Sequence, residues 1–263
     1  MKHLLALILL SLYSYAYDAF ITPDKLKDSL SDEKIVLLDV SPLDMYSTSH
    51  IKGAIHADIS KFSKSDYERL ASAYSKNVQK EIINLGINPD SHVVIYSRNS
   101  YENLQNSTYL AFVLAEHGFE NISILEGGYI AWVFKYHTLV SSKRSSAKED
   151  GSYKIKHNPN FLVELDYIKS NSRNITIVDS SNKLQSPELF SDISYTIDRD
   201  YRDNFFDDLT LRDEDELREF VSKLSLIKDK DIVVYDETIF EASVNWYILY
   251  QKFGFKNIKI LHF

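Results

Sequence analysis

Apolar residues along this chain fall into two kinds of run. Short, nearly continuous runs end abruptly on a polar residue: Ile35 to Leu38 before Asp39, Val93 to Tyr96 before Ser97, Ile175 to Val178 before Asp179, Ile232 to Tyr235 before Asp236. That is the pattern of strands covered on both faces in a parallel sheet. Longer stretches carry apolar positions at helical spacing: about Lys64 to Leu85, Leu104 to a stop at Gly118, Tyr129 to Phe134, Asp213 to Leu226, and Glu241 to a stop at Gly254. Strands and helices alternate, which predicts an α/β fold of mainly parallel sheet flanked by helices.

The pattern also repeats. Asp39 to Ser97 spans 58 steps and Asp179 to Asp236 spans 57, and the stretch from His117 (HGFENISIL) matches the stretch from Phe253 (FGFKNIKIL) almost letter for letter. Two copies of one module follow. The expected division is a first module over residues 17–140, a polar linker over 141–158 crossing a surface, and a second module over 159–263. The second copy ends at Phe263 without a counterpart of the EGGYIAWV segment, so it is expected to be C-terminally shortened and to lean on the first for burial.

Composition narrows the chemistry. The 44% hydrophobic content supports real cores, and the formal charge of −8 without a long basic run argues against a nucleic-acid surface. There is no cysteine, which removes disulfides, thiolate metal sites and cysteine nucleophiles together. Residues 1–16 hold one lysine, an apolar run from Leu4 to Leu12, and Ser14 and Ala16 in the three-apart pattern of a signal-peptidase site. They predict an export signal cleaved after Ala16, a mature chain without a membrane span, and a periplasmic destination.

With Asp39 closing a strand, then YSTSHIKGAIHADI, the strand and turn at Ser97, and GFENISILEGGYIAW, the first module resembles a rhodanese domain. The doubling resembles the tandem rhodanese-type sulfurtransferases. The likeness spans nearly all of the mature chain and is weaker after Asp179, where no His-Ile-x-Gly-Ala equivalent occurs. The resemblance implies two modules, each a small parallel sheet flanked by helices, and a reaction in which sulfane sulfur passes from a donor such as thiosulfate to a thiophilic acceptor. It also implies a cysteine after the strand that ends at Tyr96, held in a loop of backbone N–H groups. Here Ser97 stands at that position, followed by Arg98, and Asp236 stands there in the second module. Neither side chain can hold a persulfide, and Asp236 adds an anion where an anionic donor would approach.

The favoured expectation is therefore a non-catalytic binding or scaffold module without cofactor or metal. Its candidate anion or ligand site is the loop carrying Ser97, Arg98, Asn99, Ser100, Tyr101 and Asn103, and its partner a protein or small anionic ligand. The alternative is altered chemistry at Ser97 or at a site of histidines and acids, which needs a base beside Ser97. The plain expectation for Ser97 and Asp236 is capping of the next helix. Arg98 divides evenly between oxyanion binding and a surface ion pair, and His50 is expected to be structural. Trp132 and Trp246 are expected in the core or at the contact between modules. The acidic stretch from Asp198 to Glu216 reads as a solvated loop entering a helix. Glycosylation tripeptides begin at Asn106, Asn121 and Asn174.

Overall fold

A computed structural model describes residues 17–62, 71–98, 100–181, 190, 193, 196–225 and 230–262. The proposed signal segment, the first part of the helix expected from Lys64, and Asn99 lie outside the described residues.

The first module runs β1 (Phe20–Ile21), α1 (Pro23–Ser29), β2 (Ile35–Asp39), α2 (Leu43–Thr48), β3 (His50–Ile51), β4 (Ile55–His56), a 3₁₀ turn (Ile59–Phe62), α3 (Ala71–Asn84), β5 (His92–Tyr96), α4 (Tyr101–Glu116), β6 (Ile122–Leu125) and α5 (Gly128–Tyr136). After β7 (Val140–Ser141) and a 3₁₀ turn (Pro159–Phe161), the second runs β8 (Leu162–Val163), α6 (Leu165–Asn171), β9 (Ile175–Asp179), β10 (Thr196–Asp198), a 3₁₀ turn (Tyr201–Asn204), α7 (Glu214–Ser225), β11 (Asp231–Tyr235), α8 (Ile239–Tyr247), a π-helical turn (Ile248–Lys252) and β12 (Ile258–Leu261).

Each module builds one five-stranded sheet, in the orders β1-β6-β5-β2-β4 and β10-β9-β11-β12-β8. Taken from opposite ends, the two orders match strand for strand, so the sequence repeat is a repeat of topology. Every pairing in both sheets is parallel. Leu37 faces Val94 in one sheet and Ile177 faces Val233 in the other. The central strands are mostly apolar because helices cover both faces, and Val93, Val94, Ile95, Val233 and Val234 are fully buried.

The three extra residues between Ser97 and Gly118, compared with Asp236 to Gly254, divide between loop and helix. One lengthens the loop before α4, and two lengthen α4 against α8 with its π turn. Gly118 and Gly254 end these helices at φ 85° and 74°, left-handed conformations that favour glycine.

The largest core runs through both modules along α4 and α8. Phe112 meets Trp246 edge to face at 4.9 Å, Tyr109 stacks on Phe240 at 4.0 Å, and Thr108 Oγ1 bonds Ser243 Oγ at 2.7 Å. Tyr247 donates its hydroxyl to the Ala19 carbonyl at 2.6 Å, and Gln251 donates to the Glu120 carbonyl at 2.8 Å. Trp246 is thus a contact residue between modules, while Trp132 sits in a separate core on the other face of the first sheet.

The expected linker is strapped onto the first module through its backbone. Gly151 N–H reaches Ile83 O at 2.7 Å, Tyr153 N–H reaches Ile87 O at 3.0 Å, Lys156 N–H reaches His117 O at 2.8 Å, and Asn158 N–H reaches Glu116 O at 2.7 Å. Ser141 pairs with His50 in an antiparallel ribbon. The sequence pattern carries little hint of this because much of the strap docks through main-chain groups, which every residue carries.

Candidate functional site

Both polar stops lie at the C-terminal ends of their sheets, where parallel α/β folds place ligands. Asp39 and Asp179, on the neighbouring strands, each tie a local turn: Asp39 Oδ1 accepts from Ser41 N–H at 2.8 Å, and Asp179 Oδ1 accepts from Ser181 N–H at 3.0 Å.

Ser97 is 5% exposed. Its carbonyl accepts from Tyr129 N–H at 2.9 Å, and its hydroxyl donates to the Arg98 carbonyl at 3.3 Å. It does not cap α4. That task falls to Ser100, whose Oγ accepts from Asn103 N–H at 3.1 Å, because a cap must stand immediately before the first helical residue. Thr238 does the same for α8, accepting from Glu241 N–H at 3.2 Å. Among the described residues no imidazole bonds Ser97. His50 Nδ1 donates to the Tyr46 carbonyl and His56 Nε2 to the Ser41 carbonyl, while His92 Nε2 pairs with Ser123 Oγ. No histidine among the described residues therefore stands as the general base that a serine nucleophile requires, while Glu126 lines the same space.

Arg98 is engaged by its own module. One terminal nitrogen donates to the carbonyls of Met45, at 2.7 Å, and Ser49, and the guanidinium lies 3.8 Å from the Tyr129 ring centre. The Met45 carbonyl also accepts from Ser49 N–H at 3.1 Å, so the guanidinium adds a second donor at the C-terminal end of α2. Tyr129 hydroxyl and Ser49 Oγ close the arrangement at 2.5 Å. Only Nε of Arg98 is buried without a partner. Tyr101 is turned to the second module, its ring 6.2 Å from that of Tyr201.

The space beside Ser97 is about 10 Å³, bounded by Phe20, Leu104, Ile124 and Leu209. That admits about one water molecule. Leu209 comes from the second module, in the stretch read from sequence as a solvated acidic loop. Instead the stretch is a hook with Tyr201, Asn204, Phe205 and Leu209 buried. Leu209 has φ 62°, and Leu211 N–H bonds Glu126 Oε1 at 3.1 Å. Asn204 Nδ2 donates to Asn245 Oδ1 at 2.6 Å, and Asn245 Nδ2 donates to Ser180 Oγ at 2.8 Å, which anchors the hook to α8 and β9. Single asparagines on an acidic loop carry no sequence signal for such a network.

Asp236 also departs from expectation. Burial, followed by the negative charges of Glu241, Asp179 and Asp200, pushes its carboxyl up to about 8. It is therefore mostly neutral at pH 7 rather than the anion read from sequence. Oδ1 accepts from Glu237 N–H at 2.7 Å, and Oδ2 is buried without a partner.

The sequence also gave no sign of a carboxylate and two imidazoles converging. Glu116, His117 and His157 offer ligand-type atoms within 4.8 Å of one another. Within this group His117 Nδ1 donates to the Val113 carbonyl at 2.8 Å, and His157 Nε2 lies 3.5 Å from Glu116 Oε1. The histidine of the strap is thereby held to a buried carboxylate.

Two parallel sheets, each with its polar stop at the entry to a long helix, define a tandem α/β protein. Residues 22–135 match the rhodanese-like domain. It is 23% identical over 271 residues to the sulfur carrier protein TtuD of Thermus thermophilus, covering 93% of this chain and 92% of that one. The Caenorhabditis elegans protein mpst-1 is 24% identical over 108 residues, which span 40% of this chain and only 33% of that protein. Among solved structures, SseA of Escherichia coli, a 3-mercaptopyruvate sulfotransferase, shares the fold with a TM-score of 0.73 at 20% identity, covering 93% of this chain and 98% of its own. Among the described residues no helix is long and apolar enough to cross a membrane.

Proposed function

We propose that this chain is an exported, non-catalytic member of the rhodanese-like family that serves as a binding or scaffold module, with the periplasm as its destination. The observation that carries the reading is the pair Ser97 and Asp236 at the two positions after β5 and β11, in a chain without cysteine. Sulfane sulfur is carried as a persulfide, and neither a hydroxyl nor a carboxyl forms a sulfur–sulfur bond. The tight space under Leu209, and the lack of an imidazole bonded to Ser97 among the described residues, favour the same reading over a serine enzyme. Export rests on the pattern of residues 1–16 alone.

Within the loop from Ser97 to Asn103, the guanidinium of Arg98 is spent on the Met45 and Ser49 carbonyls and the Tyr129 ring, so the expected oxyanion site has no support there. Purified mature protein given thiosulfate and cyanide is expected to form no thiocyanate above the blank. Turnover that disappears in Ser97→Ala overturns the proposal. Recovery of the chain from the membrane or cytosolic fraction instead of the periplasm overturns its location.

A further inference from the structure

A carboxylate and two imidazoles meet where α4 ends and the strap crosses it. Glu116 is the last residue of α4 and His117 its C-cap, and neither has exposed surface. His157 comes from the strap, and the main chain fixes it in place. Lys156 N–H bonds the His117 carbonyl at 2.8 Å and Asn158 N–H bonds the Glu116 carbonyl at 2.7 Å. The two neighbours of His157 are thus pinned to the two residues its ring meets. Among the described residues no other trio of histidines and acids converges in this way.

The separations suit a shared ion better than direct bonds. His157 Nε2 lies 3.5 Å from Glu116 Oε1, longer than the roughly 2.7–2.9 Å of a charge-assisted hydrogen bond. It is close to the distance of about 3.3 Å that two ligand atoms keep on one tetrahedral zinc ion with bonds near 2.0–2.1 Å. Ligand-type atoms of all three residues lie within 4.8 Å of one another, within reach of small side-chain shifts. His117 donates Nδ1–H to the Val113 carbonyl at 2.8 Å, which orients the ring and leaves Nε2 as its ligand atom, as backbone carbonyls do behind metal-bound histidines. The Ser75 hydroxyl, 3.4 Å from Nε2, can turn toward an ion or its bound water. A carboxylate has about four lone-pair directions, so Glu116 can ligate while accepting other bonds. The C-terminal end of a helix of 16 residues also favours a cation.

We infer that Glu116, His117 and His157 form a site for one divalent transition-metal ion of the zinc class. Two nitrogens and one oxygen suit zinc and its first-row neighbours, whereas magnesium and calcium take oxygen sets. The fourth position falls to water on the side of His157, which is the partly exposed member of the group. The ion clasps the strap to α4. This inference is independent of whether the chain has lost sulfur transfer.

Calorimetric titration of the chelator-stripped, tag-free mature chain with zinc chloride tests it, and cobalt chloride repeats the titration with visible absorption as the readout. One zinc per chain is expected to bind saturably, cobalt to show the d–d bands of a low-coordinate ion, and magnesium to give no saturable heat. His157→Ala is expected to weaken zinc by more than the roughly tenfold to hundredfold that loss of an outer-shell partner costs. His137→Ala, at an exposed histidine outside the group, is expected to leave it unchanged. Zinc should raise the melting temperature of the parent and not that of His157→Ala. Absence of saturable zinc binding to the unaltered chain overturns the inference. Zinc binding of parental strength in His157→Ala overturns it too, because the ion then sits elsewhere. So does an equal deficit in melting temperature for His157→Ala with and without zinc, the mark of a plain histidine–carboxylate pair. The titrations of the unaltered chain decide the matter even where a variant fails to fold.

Discussion

Replacing Asp236 by asparagine removes an ionisable group from a site that resists charge, and the structure fixes both the sign and the size of the effect. The folded chain holds the proton up to about pH 8, whereas the unfolded chain releases it near 3.8. Between those values the native state binds one proton more than the unfolded state, so stability falls as pH rises through the window and levels above it. Each pH unit is worth about 1.4 kcal/mol, and the accumulated loss at pH 7 is about 4 kcal/mol. Asparagine cannot ionise and keeps an oxygen for the Glu237 N–H. Its NH₂ group inherits the unpartnered position of Oδ2, at a cost of about 1–3 kcal/mol. Asp236→Asn is therefore expected to be more stable than the parent by about 2 kcal/mol at pH 7, or about 6 °C in melting temperature. At pH 4 the gain is absent and the variant is the less stable of the two. Urea unfolding followed by circular dichroism at pH 4, 5, 6, 7 and 8 reads the crossing. A variant no more stable than the parent at pH 7, or a difference that does not change with pH, refutes the argument.

Three further outcomes follow from buried contacts. His92, stacked 3.7 Å from Tyr17, is pushed down to about 4 by burial. It therefore adds stability above pH 6.5 that is lost as pH falls toward 4, and His92→Gln should flatten this acid limb in the same unfolding series. In Ser97→Cys, thiol labelling should be slow, and adding Leu209→Ala should speed it; equal rates would show that Leu209 does not cover the position. A Cβ at Gly151 would lie 2.4 Å from Ile87 O and 2.5 Å from Ile87 N. Gly151→Ala should cost at least about 2 kcal/mol in a melting measurement and expose the strap to limited proteolysis.

The strands were legible because buried parallel strands must be apolar and must stop on polar residues where the sheet ends. Asp39, Ser97, Asp179 and Asp236 mark those ends both in sequence and in space. That a cysteine would stand at Ser97 and Asp236 came from the family resemblance and not from this pattern. What the pattern did not carry were contacts between residues distant in the chain. Arg98 beside a helix start resembles an oxyanion site, but the Met45 and Ser49 carbonyls that engage it lie about fifty residues earlier. Asp236 is an ordinary aspartate by type, and only burial among Glu241, Asp179 and Asp200 raises its affinity for a proton. Leu209 stands among acidic neighbours, and its burial depends on a hook held by Asn204 and Asn245. The strap is invisible to side-chain periodicity because Gly151, Tyr153, Lys156 and Asn158 dock through main-chain N–H groups.

The hydroxyl of Tyr247 and the amide of Gln251 end on carbonyls at the start of β1 and just before β6. Prising the halves apart would break both bonds and wet the Trp246 face at the same moment, so hinge opening is a poor route to recognition. On the proposed binding role, a partner would meet a body whose halves are already packed together. Affinity can then be set by fit alone, without an ordering cost, and mutations that loosen the α4–α8 seam should weaken a distant docking event even when they touch none of its contacts.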